Sequence, residues 1–251
     1  MTIKKLAIGV GIALAVLIAA VWWLFFWGDT PEAVDVDAAN TQLDVDLAVA
    51  TDDTPAAAPD PFDGDINATW VVDDEIGEFD FETASGSFAG FRVDEVRTVP
   101  YGYVVAVCRT GGVSVTFTID GGRLTGTDIT VDMGSITSND SRREFPIRRA
   151  VMANEFPTAT FVLTTPVDLP AGLAVGETVT VDATGDLTVA GTTNEATFTI
   201  DALVRDDGFG VITGSATITW EDYGVTPPHA PIVVSIDESG IIEFQLIVAK
   251  G

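Results

Sequence analysis

The chain has 251 residues, 47% of them apolar, with 38 Asp and Glu against 12 Lys and Arg and a formal net charge of -26. That charge excludes nucleic acid as the main partner, because phosphate binding needs a basic surface. A single cysteine, Cys108, excludes an internal disulfide framework and a cysteine-based zinc site, and a single histidine, His229, excludes a histidine-rich metal centre.

Residues 6–27 form an uncharged run that ends in Trp22-Trp23-Leu24-Phe25-Phe26-Trp27. At 1.5 Å per residue the run reaches about 33 Å, enough for a bilayer core. Lys4 and Lys5 precede it, and no basic residue follows before Arg92. The positive-inside rule then predicts residues 1–27 as a single-pass anchor of the cell membrane, with the rest of the chain on the extracytoplasmic side. The alternative is a cleaved signal peptide, although bulky aromatics stand where small residues would mark the cleavage site.

Residues 28–65 hold eleven acids, no base and four prolines (Pro31, Pro55, Pro59, Pro61). This composition predicts a disordered acidic linker. A weak alternation (Val34, Val36; Leu43, Val45, Leu47, Val49) offers a strand as the alternative.

Residues 66–251 read as one all-β domain. Val115, Phe117 and Ile119 alternate with Thr116 and Thr118; Phe198 and Ile200 alternate with Thr197 and Thr199; Ile242, Phe244 and Leu246 flank Glu243 and Gln245. Period two marks half-buried strands. Turns are predicted at Asp120-Gly121-Gly122, Thr184-Gly185-Asp186, Asp206-Asp207-Gly208 and Glu238-Ser239-Gly240. Residues 138–155 lose the alternation and gain arginines, which predicts a loop with a short helix closed by Pro157. Short strands without intervening helices predict an antiparallel barrel or sandwich.

Four blocks in order resemble the YceI family. They are Trp70-Val71-Val72-Asp73 with Phe88-Ala89-Gly90-Phe91-Arg92-Val93; Ile136-Thr137 through Ser141-Arg142-Arg143 to Glu155-Phe156-Pro157-Thr158-Ala159-Thr160-Phe161; Thr184-Gly185-Asp186-Leu187-Thr188-Val189-Ala190-Gly191-Thr192-Thr193; and Trp220-Glu221-Asp222-Tyr223-Gly224-Val225. The resemblance implies a lipocalin-like antiparallel barrel of about eight strands with a short helical insert. It also implies binding of an isoprenoid or other amphiphilic lipid inside that barrel. In this chain the insert reads Arg142-Arg143-Glu144-Phe145-Pro146-Ile147-Arg148-Arg149, without the histidine common in the family.

The residues supply two candidate sites. Phe117, Phe161, Phe198, Trp220 and Phe244 are the inward set expected to line a ligand cavity, with plain core packing as the rival reading. Arg142, Arg143, Arg148 and Arg149 crowd into eight positions of a chain with few bases. They form a candidate clamp for a phosphate or carboxylate head group, against pairing with the chain's own acids. Cys108 reads as a small apolar strand residue. No nucleophile–base pair, cofactor loop or metal set is legible, so neither catalysis nor a cofactor is expected. A non-enzymatic interaction module of the cell envelope with a filled barrel is the rival function. The partners expected are an amphiphilic lipid and the membrane through the N-terminal run; a homodimer stays open.

Overall fold

The computed structural model describes residues 30–53, 59–73, 76–98 and 102–251. Helix α1 (Val36–Asp53) comes first. Strands β1 (Ala68–Val72), β2 (Phe88–Arg97), β3 (Gly102–Thr110), β4 (Val113–Asp120), β5 (Arg123–Asp132) and β6 (Thr137–Ser138) follow. A 3-10 turn (Ser141–Arg143) leads into helix α2 (Glu144–Ala150). Then come β7 (Thr158–Leu163), β8 (Val167–Asp168), β9 (Val179–Val189), β10 (Thr192–Val204) and β11 (Gly210–Thr219). A second 3-10 turn (Trp220–Tyr223), β12 (Val233–Ile236) and β13 (Ser239–Lys250) complete the chain.

The sheet closes into a ring of eight antiparallel strands in the order β1-β4-β5-β7-β9-β10-β11-β13, with β13 returning to β1. One edge of β13 is shared between two partners. Residues 248–250 pair with β1, and residues 241–245 pair with β2. From β2 the sheet branches outward to β3 and β6, and β12 lies along the far part of β2. The expected eight-stranded barrel with a short helical insert is present, and α2 is that insert.

Hairpin chemistry sets much of the register. Gly121 and Gly122 both adopt positive φ (60° and 74°) between β4 and β5, as a tight two-residue turn requires. One expected turn is corrected. Thr184-Gly185-Asp186 lies inside β9, not at its end. Gly185 is there because the Phe161 ring rests on its backbone, so an added Cβ would strike Cζ and Cε2. The actual reversal is at Ala190-Gly191, both at positive φ.

The acidic linker is the larger correction. Residues 36–53 are helical, and Val36, Ala39 and Leu43 are buried against Leu203, Phe209, Val211, Ile247 and Ala249 on the outer face of the barrel. The Asp35 carboxylate accepts from the Ala38 N–H at 2.9 Å and caps the helix. Arg205 reaches across to Asn40 Oδ1 at 2.7 Å and Asp44 Oδ1 at 2.8 Å. Just upstream, the Glu32 carbonyl accepts from Nη2 of both Arg92 and Arg109 at 2.7 Å. Composition argued for disorder, but burial of one apolar stripe against a sheet outweighs it.

The membrane assignment is corrected as well. Among the described residues no helix is long and apolar enough to cross a membrane. The apolar run 6–27 lies outside the described residues. No described element supplies the expected anchor, so the membrane partner and the single-pass placement that followed from it have no support among the described residues.

Candidate ligand-binding site

Alternation along the ring strands sends one set of side chains into the barrel, and that set does not fill it. Three cavities lie in series. The first, about 120 Å³, is bordered by Phe62, Trp70, Phe117, Leu173, Val204 and Ile212. The second, about 80 Å³, is bordered by Met133, Ile136, Ala159, Phe161, Leu187 and Phe198. The third, about 160 Å³, lies under α2 and the residue 227–236 segment. Ile129, Phe244 and Leu246 border both the first and the second cavity. Phe91, Val151, Trp220 and Val225 border both the second and the third. The walls of the first two are almost wholly apolar.

All five expected interior aromatics face this series. Phe117 borders the first cavity and stacks on Trp70 with centroids 6.3 Å apart. Phe161, Phe198 and Phe244 form a row across the second, with centroids 5.0 Å and 5.7 Å apart. Trp220 meets Phe91 edge-on at 5.4 Å, between the second and third cavities.

The four arginines separate. Arg142 and Arg143 border the third cavity, whereas Arg148 and Arg149 do not. Arg148 donates to the Ile136 carbonyl at 3.0 Å and lies 3.7 Å from Glu144, and Arg149 is exposed. Arg143 pairs with the buried Glu95 at 3.1 Å and donates to Asn139 Oδ1 at 2.7 Å. Arg142 makes two contacts of 2.9 Å to the Asp140 carboxylate.

Sequence reasoning missed the partners. Glu95 and Arg97 on β2 are 3% and 8% exposed, and both border the third cavity beside Asp140. Arg97 binds Glu95 at 2.8 Å and Asp140 at 3.2 Å. Burial alone would raise the Asp140 carboxyl, but Arg142 and Arg143 draw it down to about 2. Burial lowers the Arg143 guanidinium, and Glu95 only partly restores it. Glu95 and Arg97 sit two apart in β2, a spacing that puts both on one face. That was the available signal.

A second buried charge cluster lies outside the barrel wall. Glu243, 1% exposed, takes Arg109 at 2.8 Å and Arg92 at 2.8 Å. The Arg109 guanidinium also lies 4.5 Å over the Phe88 ring, and its Nη1 has no hydrogen-bond partner. This cluster is buried by the strap formed by residues 31–35 and α1. Cys108 is wholly buried on β3, and burial pushes its thiol up to about 12.

A closed antiparallel barrel with an apolar, partly empty interior defines a class of small binding barrels. Residues 62–248 match the model of the YceI-like domain, and the chain belongs to that family. Among curated protein sequences none matches it. Among solved structures it is similar to a polyisoprenoid binding domain from Saccharophagus degradans implicated in plant cell wall breakdown. The identity there is 16% and the TM-score 0.52, over 74% of this chain and 99% of that one. Burkholderia cenocepacia BcnA is 20% identical at a TM-score of 0.46, over 65% of this chain and 96% of that one. The Campylobacter jejuni YCEI protein is 15% identical at 0.43, over 55% and 81%. At these identities the first likeness speaks to fold alone. Among the described residues no three His, Cys, Asp or Glu side chains gather as a metal set.

Proposed function

We propose that the chain is a non-enzymatic binding module whose barrel takes the apolar part of an amphiphile, such as an isoprenoid or fatty-acyl chain. The observation that carries this reading is the pair of apolar cavities along the barrel interior, continued by the charged third cavity beside them. A hydrocarbon chain is the ligand that such walls reward, at about 0.8 kcal/mol per buried methylene. The polyisoprenoid binding of the Saccharophagus degradans domain, which shares the fold, supports the same ligand class. Phe117, Phe161, Phe198, Trp220 and Phe244 would contact the tail, and Arg142 and Arg143 would place the head at the third cavity.

A second reading rests on the aromatic row. Phe161, Phe198 and Phe244 touch across the barrel, so the interior is partly self-filled. A barrel that stays filled would serve as an interaction module. Titration of the purified chain with a fluorescent fatty-acyl probe separates the two. One-to-one saturation, abolished by competing polyprenol, is expected. A stably folded protein that binds neither probe nor polyprenol would leave only the interaction module.

A further inference from the structure

We infer that Phe244 is the partition that sets how long a chain the barrel accepts, with Gly214 as the platform that holds its ring against the wall. This inference rests on the interior-binding reading above.

The first and second cavities share a wall of only Ile129, Phe244 and Leu246. Of these, Leu246 is buried at 3% exposure, whereas Phe244 keeps accessible surface although it points inward. It does so because it borders empty space on both sides. Its ring reaches Phe198, which in turn meets Phe161, so the row runs from β13 to β7 across the lumen.

Gly214 on β11 is paired directly with Phe244 on β13. The ring folds back over the missing side chain, and a Cβ added at Gly214 would overlap Cζ and lie 2.6 Å from Cε1. The other shared wall is built differently. Trp220 sits on Gly240 and is braced by Phe91, at 7% exposure and in the 3-10 turn. Trp220 also has a void on either side, but Phe91 and the 3-10 turn brace it at 7% exposure, whereas Phe244 keeps accessible surface toward both of its voids. An aromatic hinged on a glycine between two voids is a movable stop.

The two residues make opposite predictions. Phe244→Ala joins the two cavities. Gly214→Ala drives the ring off the wall and into the lumen. The assay is competition of geraniol, farnesol and geranylgeraniol, and a graded series of n-alkanols, against a fluorescent fatty-acyl probe. In the wild type, affinity climbs up to about fourfold per methylene until the tail meets Phe244, then levels off. In Phe244→Ala the climb continues to longer chains, and in Gly214→Ala it stops at shorter ones. Phe244→Leu keeps more of the packing and should move the break in the direction of Phe244→Ala if that variant fails to fold. An identical break length in the wild type and every folded variant overturns the inference, whatever the change in overall affinity. Absence of binding by any chain to any folded variant overturns the interior-binding reading, and the partition with it.

Discussion

Leu43→Ala tests whether the acidic N-terminal segment is a docked strap or a tether. Leu43 is 1% exposed and packs with Phe209, Val211 and Ile247, which are 1%, 0% and 1% exposed on the outer side of the barrel. Truncating a fully buried leucine costs about 2–5 kcal/mol, the higher values where the site cannot collapse. Here the floor is a hydrogen-bonded sheet that cannot move inward, while the helix can shift. The lower half of that range, about 2–3 kcal/mol, is therefore expected. For a domain of this size each kcal/mol lowers Tm by about 2–4 °C, so the loss should be roughly 4–12 °C. Val45, on the same helix but 52% exposed, is the control, and its alanine variant should stay within about 0.5 kcal/mol. Thermal unfolding followed by near-ultraviolet circular dichroism reads both. Equal midpoints for the wild type and Leu43→Ala would refute the docked helix and restore the disordered linker.

Other variants probe the buried charges and the thiol. Glu243→Gln leaves the buried Arg109 and the part-buried Arg92 without their carboxylate and should cost about 3–5 kcal/mol in denaturant unfolding. Breaking the exposed Arg123–Asp168 pair with Asp168→Asn should cost under about 1 kcal/mol. Asp140 is held below its ordinary value when folded, so its stabilisation is complete above about pH 4 and is lost as pH falls through about 2. The stability gap between the wild type and Asp140→Asn should accordingly narrow across that window, and a constant gap would count against the ion pairs. The Cys108 thiol, buried with its titration pushed up to about 12, should resist a thiol reagent at pH 8 until the protein unfolds.

The period-two strands were legible because one face of each is buried and the other wet. The same alternation placed Phe117, Phe161, Phe198 and Phe244 inside. What it concealed was that the end of strand β13 is covered on both faces, where Leu246, Ile247, Val248 and Ala249 are all buried. A continuous apolar run marks a strand covered on both faces. The cover is α1, whose Val36, Ala39, Leu43 and Leu47 follow a helical spacing that a strand-like reading of Leu43, Val45 and Leu47 obscures. Glycine misled in one place, because Gly185 serves a ring and not a turn. The arginine cluster was legible as sequence, but its partners were not, because Glu95 and Arg97 come from a strand some forty-five residues earlier.

The distribution of cations bears on the head group. Lys4 and Lys5 lie outside the described residues, and of the other ten basic residues nine are in ion pairs, leaving Arg149. In a chain of net charge -26, arginine is drawn to the protein's own carboxylates and serves as a cross-link. At the third cavity Arg97, Arg142 and Arg143 face Glu95 and Asp140, so three positive charges meet two negative ones. A diphosphate would bring more charge than the single excess can balance. It would also have to displace the Asp140 carboxylate, which Arg142 and Arg143 keep ionised by drawing it down to about 2. An alcohol or a carbonyl head needs only one hydrogen bond from a guanidinium already in place. The wild-type chain should therefore bind farnesol at least as tightly as farnesyl diphosphate in the probe competition, with little dependence of the alcohol on salt. Asp140→Asn should shift the preference toward the diphosphate by about tenfold, because it removes one opposing charge and loosens Arg142. Tighter binding of the diphosphate by the wild type would show that the arginines hold a ligand in preference to their own acids.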